Sequence, residues 1–216
     1  MSATDHLNYL YGFGNEHQTE ALEGALPVGQ FNPQKVPYGL YTEQLSSTAF
    51  TAPRYRNRRT WTYRIRPSVT LGDFEAIDSG LIRTGPITEV ATPPTAMRWD
   101  PFPEPAETQD FLQGIVTVAA NGDAAQQLGI GIHVYHANTD MKQRFFYNAD
   151  GELLILPREG ALSIFSELGR LHAGPGELLV IPRGIRFRVE LPEGKSSGYI
   201  CENYGAPFEL PERGPV

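Results

Sequence analysis

Gly176-Glu177-Leu178-Leu179-Val180-Ile181-Pro182-Arg183-Gly184-Ile185-Arg186-Phe187-Arg188 is the stretch on which the fold class turns. An apolar run, Leu178 to Ile181, is closed by a proline that cannot donate to a ladder. A glycine follows two residues later, and a second run begins at Phe187. This is strand, tight turn, strand. On either side the same grammar recurs, with short β segments expected at Ile115 to Ala119, Gly131 to His136, Arg144 to Tyr147, Leu153 to Leu156, Ala161 to Ser166, Phe187 to Leu191 and Gly198 to Tyr204. Between them lie Asn148-Ala149-Asp150-Gly151, Leu168-Gly169, Gly174-Pro175-Gly176 and Glu193-Gly194, all with turn chemistry. Strands at this even spacing predict an all-β fold, an antiparallel β-sandwich or jelly roll.

The opening stretch resembles the second half of a cupin barrel motif: glycine, five residues, proline, one residue, glycine, two residues, then a histidine that binds metal. Gly176, Pro182 and Gly184 keep their places, and Phe187 stands where the histidine would. Aligning Gly160 with the glycine that closes the first motif puts Leu153 at the glutamate position. Glu152, one residue earlier, is expected on the opposite face, because side chains alternate along a strand. His133 and His136 are three apart, so they too should face opposite sides, as hydrogen-bonded core or surface residues. The reading is a degenerate, metal-free domain, with no catalytic, cofactor-binding or metal-binding residue assigned.

The chain has 216 residues, 40% of them apolar, and suits one substantial domain with an ordered arm. Met1 to Asn8 is not a signal peptide, and no long uncharged apolar run suggests a membrane span. The single cysteine, Cys201, cannot form an internal bridge, and a cytoplasmic location is expected. A net charge of -7 argues against wholesale nucleic-acid binding.

Residues 1–59 are broken by Gly12, Gly14, Gly24, Pro27, Gly29, Pro33, Pro37, Gly39 and Pro53, yet carry Tyr9, Tyr11, Phe13, Phe31, Tyr38, Tyr41 and Phe50. Disordered segments are poor in aromatic residues, so an extended arm is expected, packed on the domain or on a neighbouring subunit. Thr60 to Arg66 alternates as a half-buried strand, with Trp61, Tyr63 and Ile65 on one face. The expected organisation is an arm over 1–59 and a β domain over 60–216. Pro93, Pro94, Pro101, Pro103 and Pro105 mark an irregular connection between the first strand and the rest.

Six arginines between Arg54 and Arg66 are interleaved with Tyr55, Trp61 and Tyr63, a composition that suits single-stranded nucleic acid or, in so acidic a chain, a subunit contact. Arg144, Arg183, Arg186 and Arg188 allow one of their number to meet a small carboxylate ligand. Cys201, inside Tyr199-Ile200-Cys201, reads as a buried inert thiol, and Gly12-Phe13-Gly14 lacks the strand and spacing of a phosphate loop.

Leu10-Tyr11-Gly12-Phe13-Gly14-Asn15-Glu16, Leu26-Pro27-Val28-Gly29-Gln30, Asn32-Pro33-Gln34, Pro37-Tyr38-Gly39-Leu40-Tyr41 and Glu43-Gln44-Leu45-Ser46 together resemble the start of the homogentisate 1,2-dioxygenase family. The resemblance continues through Ala49-Phe50-Thr51, Trp61-Thr62-Tyr63-Arg64-Ile65-Arg66-Pro67-Ser68, Phe146-Tyr147-Asn148-Ala149-Asp150-Gly151 and Phe208-Glu209-Leu210-Pro211. It covers only the N-terminal half of the family's length. For the complete enzyme it implies Fe(II)- and O2-dependent opening of homogentisate to maleylacetoacetate in phenylalanine and tyrosine catabolism, and assembly of trimers into hexamers. The implied iron ligands and general-base histidine lie in the family's second half, so none falls on a residue here. Leu71 replaces a histidine common in the family. The expected partners are the C-terminal catalytic domain and further copies of the chain, and no iron is expected on this chain alone. A stand-alone metal-free binding module and one half of a split dioxygenase remain alternatives.

Overall fold

A computed structural model describes residues 7–9, 20, 22–26, 36–49, 51–212 and 214. The motifs over 10–16, 27–30 and 32–34, with Phe31 and Phe50, lie outside them. The chain divides into two units, 1–77 and 78–216.

In the first unit, β1 (Tyr41–Ser46) pairs antiparallel with β2 (Arg59–Arg64), in register from Tyr41 opposite Arg64 to Ser46 opposite Arg59. The expected strand at Thr60 is therefore one half of a hairpin whose other half sits in the region read as arm. Glu43 secures the hairpin: its carboxylate meets Arg64 Nε at 2.7 Å and accepts from the Ser68 hydroxyl at 2.9 Å and from the Ser68 amide. Thr48 ties the loop, accepting the Arg58 amide at 3.0 Å and bonding Asn57 Oδ1 at 3.1 Å.

The second unit holds eight strands in two antiparallel sheets. The larger has the order β3 (Ile115–Asp123), β4 (Leu128–Ala137), β10 (Ser196–Asn203), β5 (Glu152–Glu159), β8 (Leu179–Ile181). The smaller runs β7 (Gly169–Ala173), β6 (Leu162–Ser166), β9 (Phe187–Glu190). With helix limited to three short 3-10 turns among the described residues, this is the antiparallel β-sandwich that the strand spacing predicts. The segment Arg144 to Tyr147 is a correction: it forms one bridge, Phe146 to Phe187, and no strand.

Aromatic packing joins the layers. Phe111, fully buried, lies 5.0 Å from the Tyr135 ring of the larger sheet and 6.3 Å from the Phe187 ring of the smaller, and Phe146 packs edge-on to Phe187 at 5.7 Å. Ile155, Leu162, Ile164, Val189 and Ile200 complete the core. Burying each such side chain stabilises the fold by about 1.5–3 kcal/mol before the opposing chain entropy is counted. Asp110 anchors the loop carrying Phe111, accepting the amides of Leu112 and Gln113 at 3.1 and 3.2 Å and pairing with Arg144.

The motif that opens the sequence explains its own residue types. Gly176 and Gly184 have φ of +87° and +83°, which a side chain disfavours. Pro182 ends β8, and the Gly184 amide donates to the Asn148 carbonyl at 2.8 Å.

Candidate functional site

Three strands of the larger sheet carry polar side chains to its inner face. Thr117 of β3 is opposite His133 of β4, and Gly131 of β4 is opposite Glu202 of β10. Opposed residues share a face, as do residues two apart, so all four point the same way. His133 is 3% exposed and Glu202 5%.

Thr117 Oγ1 lies 2.9 Å from His133 Nδ1, and His133 Nε2 lies 3.2 Å from Glu202 Oε2. A carboxylate only accepts, so the network assigns the ring proton to Nε2 and leaves Nδ1 to accept from the threonine hydroxyl. Asn148 Nδ2 donates to Glu202 Oε1 at 2.5 Å, and the Tyr204 hydroxyl accepts the Gly85 amide at 3.2 Å. Burial pushes the Tyr204 hydroxyl pKa up, the Gly85 amide opposes this, and the charges of Glu202 and Asp150 add to the rise. Gly131 makes the cluster possible: a Cβ there would stand 2.8 Å from His133 Nε2 and 3.0 Å from both Glu202 Oε2 and the Tyr204 hydroxyl.

Hydroxyl, imidazole and carboxylate in this order have the connectivity of an acyl-transfer triad. Here the hydroxyl is held by the backbone of Arg83, whose amide donates to Thr117 Oγ1 at 2.8 Å and whose carbonyl lies 3.3 Å away. The arrangement is a cross-strand lock in which each buried polar group has a partner, the condition for burying such groups without penalty.

The described residues do not fit ferrous iron. Such a site takes two imidazoles and a carboxylate with open positions. Among the described residues no three of His, Cys, Asp and Glu converge, and the one imidazole and one carboxylate of the lock are engaged with each other. Leu153, at the position expected for a cupin glutamate, lies on the inner face opposite Glu202, 5% exposed, while Phe187 is fully buried. Glu152 is on the other face of β5, where Oε2 accepts the Phe208 amide at 2.8 Å.

His136 lies on the opposite face of β4 from His133, in a shallow surface pocket with Glu104, Glu159 and Lys195. Burial, with the charge of Arg158, holds its imidazole below the usual range against the opposing pull of Glu104 and Glu159. Lys195 bridges Glu159 at 2.9 Å and Glu104 at 3.2 Å; these bonds raise the ammonium pKa, and the lysine lowers that of Glu159. Burial pushes the Cys201 thiol up, the opposite of an activated nucleophile.

The arginines read as possible ligand contacts pair within the protein. Arg144 meets Asp110, Arg186 meets Glu167 at 3.0 Å and Arg188 meets Glu190 at 2.6 Å, and Arg183 also has a partner. Arg170 and Arg188 stack on Phe165 from the two neighbouring strands, at 4.5 and 4.8 Å. Thr117, Asn148, Glu202 and Tyr204 were not read from the sequence as members of a site. The available signal was the alternation of Ile200, Glu202 and Tyr204, which puts a carboxylate at an inward position of an apolar strand.

A sequence profile described as homogentisate 1,2-dioxygenase N-terminal matches residues 8–216. The homogentisate 1,2-dioxygenase of Rhodopseudomonas palustris (strain BisA53) is 53% identical over 216 residues, which are 100% of this chain and 48% of that protein. The chain thus spans about half the length of this relative. Among solved structures, a cupin-2 domain protein from Shewanella frigidimarina is similar at a TM-score of 0.36 and 18% identity, covering 45% of this chain and 84% of that one. A conserved protein of unknown function from Streptococcus pyogenes gives 0.36 and 17%, with 53% and 100% covered. Likenesses at that level say nothing of function.

Proposed function

This chain belongs to the homogentisate 1,2-dioxygenase N-terminal family, and from that membership we propose that it is the structural half of a ring-cleaving dioxygenase. The complete enzyme would open homogentisate to maleylacetoacetate with Fe(II) and O2, in phenylalanine and tyrosine catabolism in the cytoplasm. The family match over residues 8–216 carries the reading, since the matched relative is about twice as long. Iron would be held by the C-terminal catalytic domain, which with further copies of this chain makes up the proposed partners, in trimers and hexamers. The proposed organisation is an aromatic-rich assembly arm ahead of a metal-free β domain. The interior residue types support it: Leu153 and Phe187 stand at the positions expected for ligands, and His133 and Glu202 bond to each other.

Oxygen consumption tests this directly. The purified 216-residue chain, given homogentisate and ferrous iron, is expected to consume no oxygen above the buffer rate, whereas a chain of the relative's full length does. Turnover by the short chain would overturn the reading.

A further inference from the structure

We propose that residues 81–85 form a strap that reads the protonation state of the buried His133, tightening on the larger sheet when the imidazole gains its second proton.

The strap is tied to the buried polar row at two points. Its Arg83 amide donates to Thr117 Oγ1 at 2.8 Å, and its Gly85 amide donates to the Tyr204 hydroxyl at 3.2 Å. Leu81 bridges Val116, the Thr117 amide donates to the Leu81 carbonyl at 3.1 Å, and the Thr84 hydroxyl donates to Asp150 at 3.3 Å. Two of the strap's bonds thus end on hydroxyls of the row, and its hold depends on where those hydroxyl hydrogens point.

Thr117 has one hydroxyl hydrogen and two acceptors for it, His133 Nδ1 at 2.9 Å and the Arg83 carbonyl at 3.3 Å. With a neutral ring, Nδ1 takes that hydrogen. A proton arriving from solvent at Nδ1 reverses the bond: the ring donates to Thr117 Oγ1, and the hydroxyl hydrogen turns to the Arg83 carbonyl. The two lone pairs of Oγ1 then accept the Arg83 amide and the ring N–H, so the strap is held through both its amide and its carbonyl. Nε2–H keeps its bond to Glu202, whose carboxylate balances the new charge, and no heavy atom has to move.

The other titratable groups around the ring are Glu202 of β10, Tyr204 just beyond it and Asp150 from the loop before β5. Tyr135, two residues along β4 on the same face, is bonded to Ser196 at 3.0 Å. β5 presents Leu153, and the smaller sheet turns Leu162, Ile164, Phe187 and Val189 to the interior. The Arg83 guanidinium is engaged with Glu89 at 3.1 Å and with the carbonyls of Gly80 and Ile82.

NMR of the 216-residue chain between about pH 5 and pH 8 tests this, the range in which an imidazole changes charge. Ring-nitrogen shifts of His133 report the proton on Nδ1. Hydrogen exchange at the Arg83 amide, corrected for the intrinsic pH dependence of exchange, reports the strap. Its protection is expected to rise about two- to tenfold on the acid side, at the midpoint of the ring titration, which is the gain from one neutral hydrogen bond. Thr117→Ser keeps the hydroxyl and should follow wild type, whereas Thr117→Val and His133→Gln should lose the pH dependence whatever their level of protection. A ring that keeps one protonation state over this range, strap protection that does not follow the ring, or a Thr117→Val chain that responds as wild type does would overturn the proposal. The wild-type comparison of ring and strap decides by itself if the variants fail to fold.

Discussion

Phe187, which stands where the motif read from the sequence would have a histidine, is fully buried, and its ring makes two of the core's aromatic contacts. Phe187→Ala is expected to lower unfolding stability by about 3–5 kcal/mol in urea titrations. Phe187→His should restore no metal site, because Leu153 still fills the carboxylate position; calorimetry with ferrous or zinc ion should show no binding, and the variant should melt below wild type. The His133 lock predicts a coupling. His133→Ala and Glu202→Gln should each be destabilising, and a double-mutant cycle should give an interaction of about 0.5–3 kcal/mol, set by the bond between them. Gly131→Ala presses on the same three groups and should cost about 1–3 kcal/mol by overpacking.

Among the elements, the turn from β8 to β9 was legible because its glycines and proline each answer a local backbone demand. Gly184→Ala forces a side chain into a φ of +83° and is expected to destabilise by about 1–2 kcal/mol, read as a shifted urea midpoint at unchanged slope. β7 was not foreseen: Leu168-Gly169 lies at the turn its residue types predict, closing a tight hairpin in which Ser166 pairs with Gly169, but no strand was read beyond it over Gly169–Ala173. β1 was hidden among breakers, since Tyr41–Ser46 has no apolar alternation of its own and is a strand through its pairing with β2. The stretch Arg144 to Tyr147 erred the other way. Its aromatic residues looked like strand, but they insert into the layer and onto arginines, with Arg188 near the Phe145 ring and Arg186 near the Tyr147 ring.

For the molecule as a whole, Tyr135, buried between the layers, contributes to the loss of stability at alkaline pH, as do the raised Cys201, Tyr199 and Tyr204. Burial pushes the Tyr135 hydroxyl up to about 12, against the opposing bond to Ser196. In the unfolded chain the same group ionises near 10, so above that pH the unfolded state sheds its proton first; the Tyr135 contribution is full below pH 10 and is lost as pH rises toward 12. The loss should approach about 3 kcal/mol. Tyr135→Phe should make that decline shallower, leaving the part due to the other raised groups, and the urea midpoint of both proteins between pH 9 and 12 checks it. By itself the sequence determined the antiparallel β class and the turn motif. These are statements about spacing and residue type, which alternation and backbone sterics impose locally. The pairing of Thr117, His133 and Glu202, residues separated by up to 85 positions, and the capture of Arg144, Arg186 and Arg188 by carboxylates were decided only in the tertiary structure. Strand order and register bring such groups together, and no local pattern encodes which strand lies beside which.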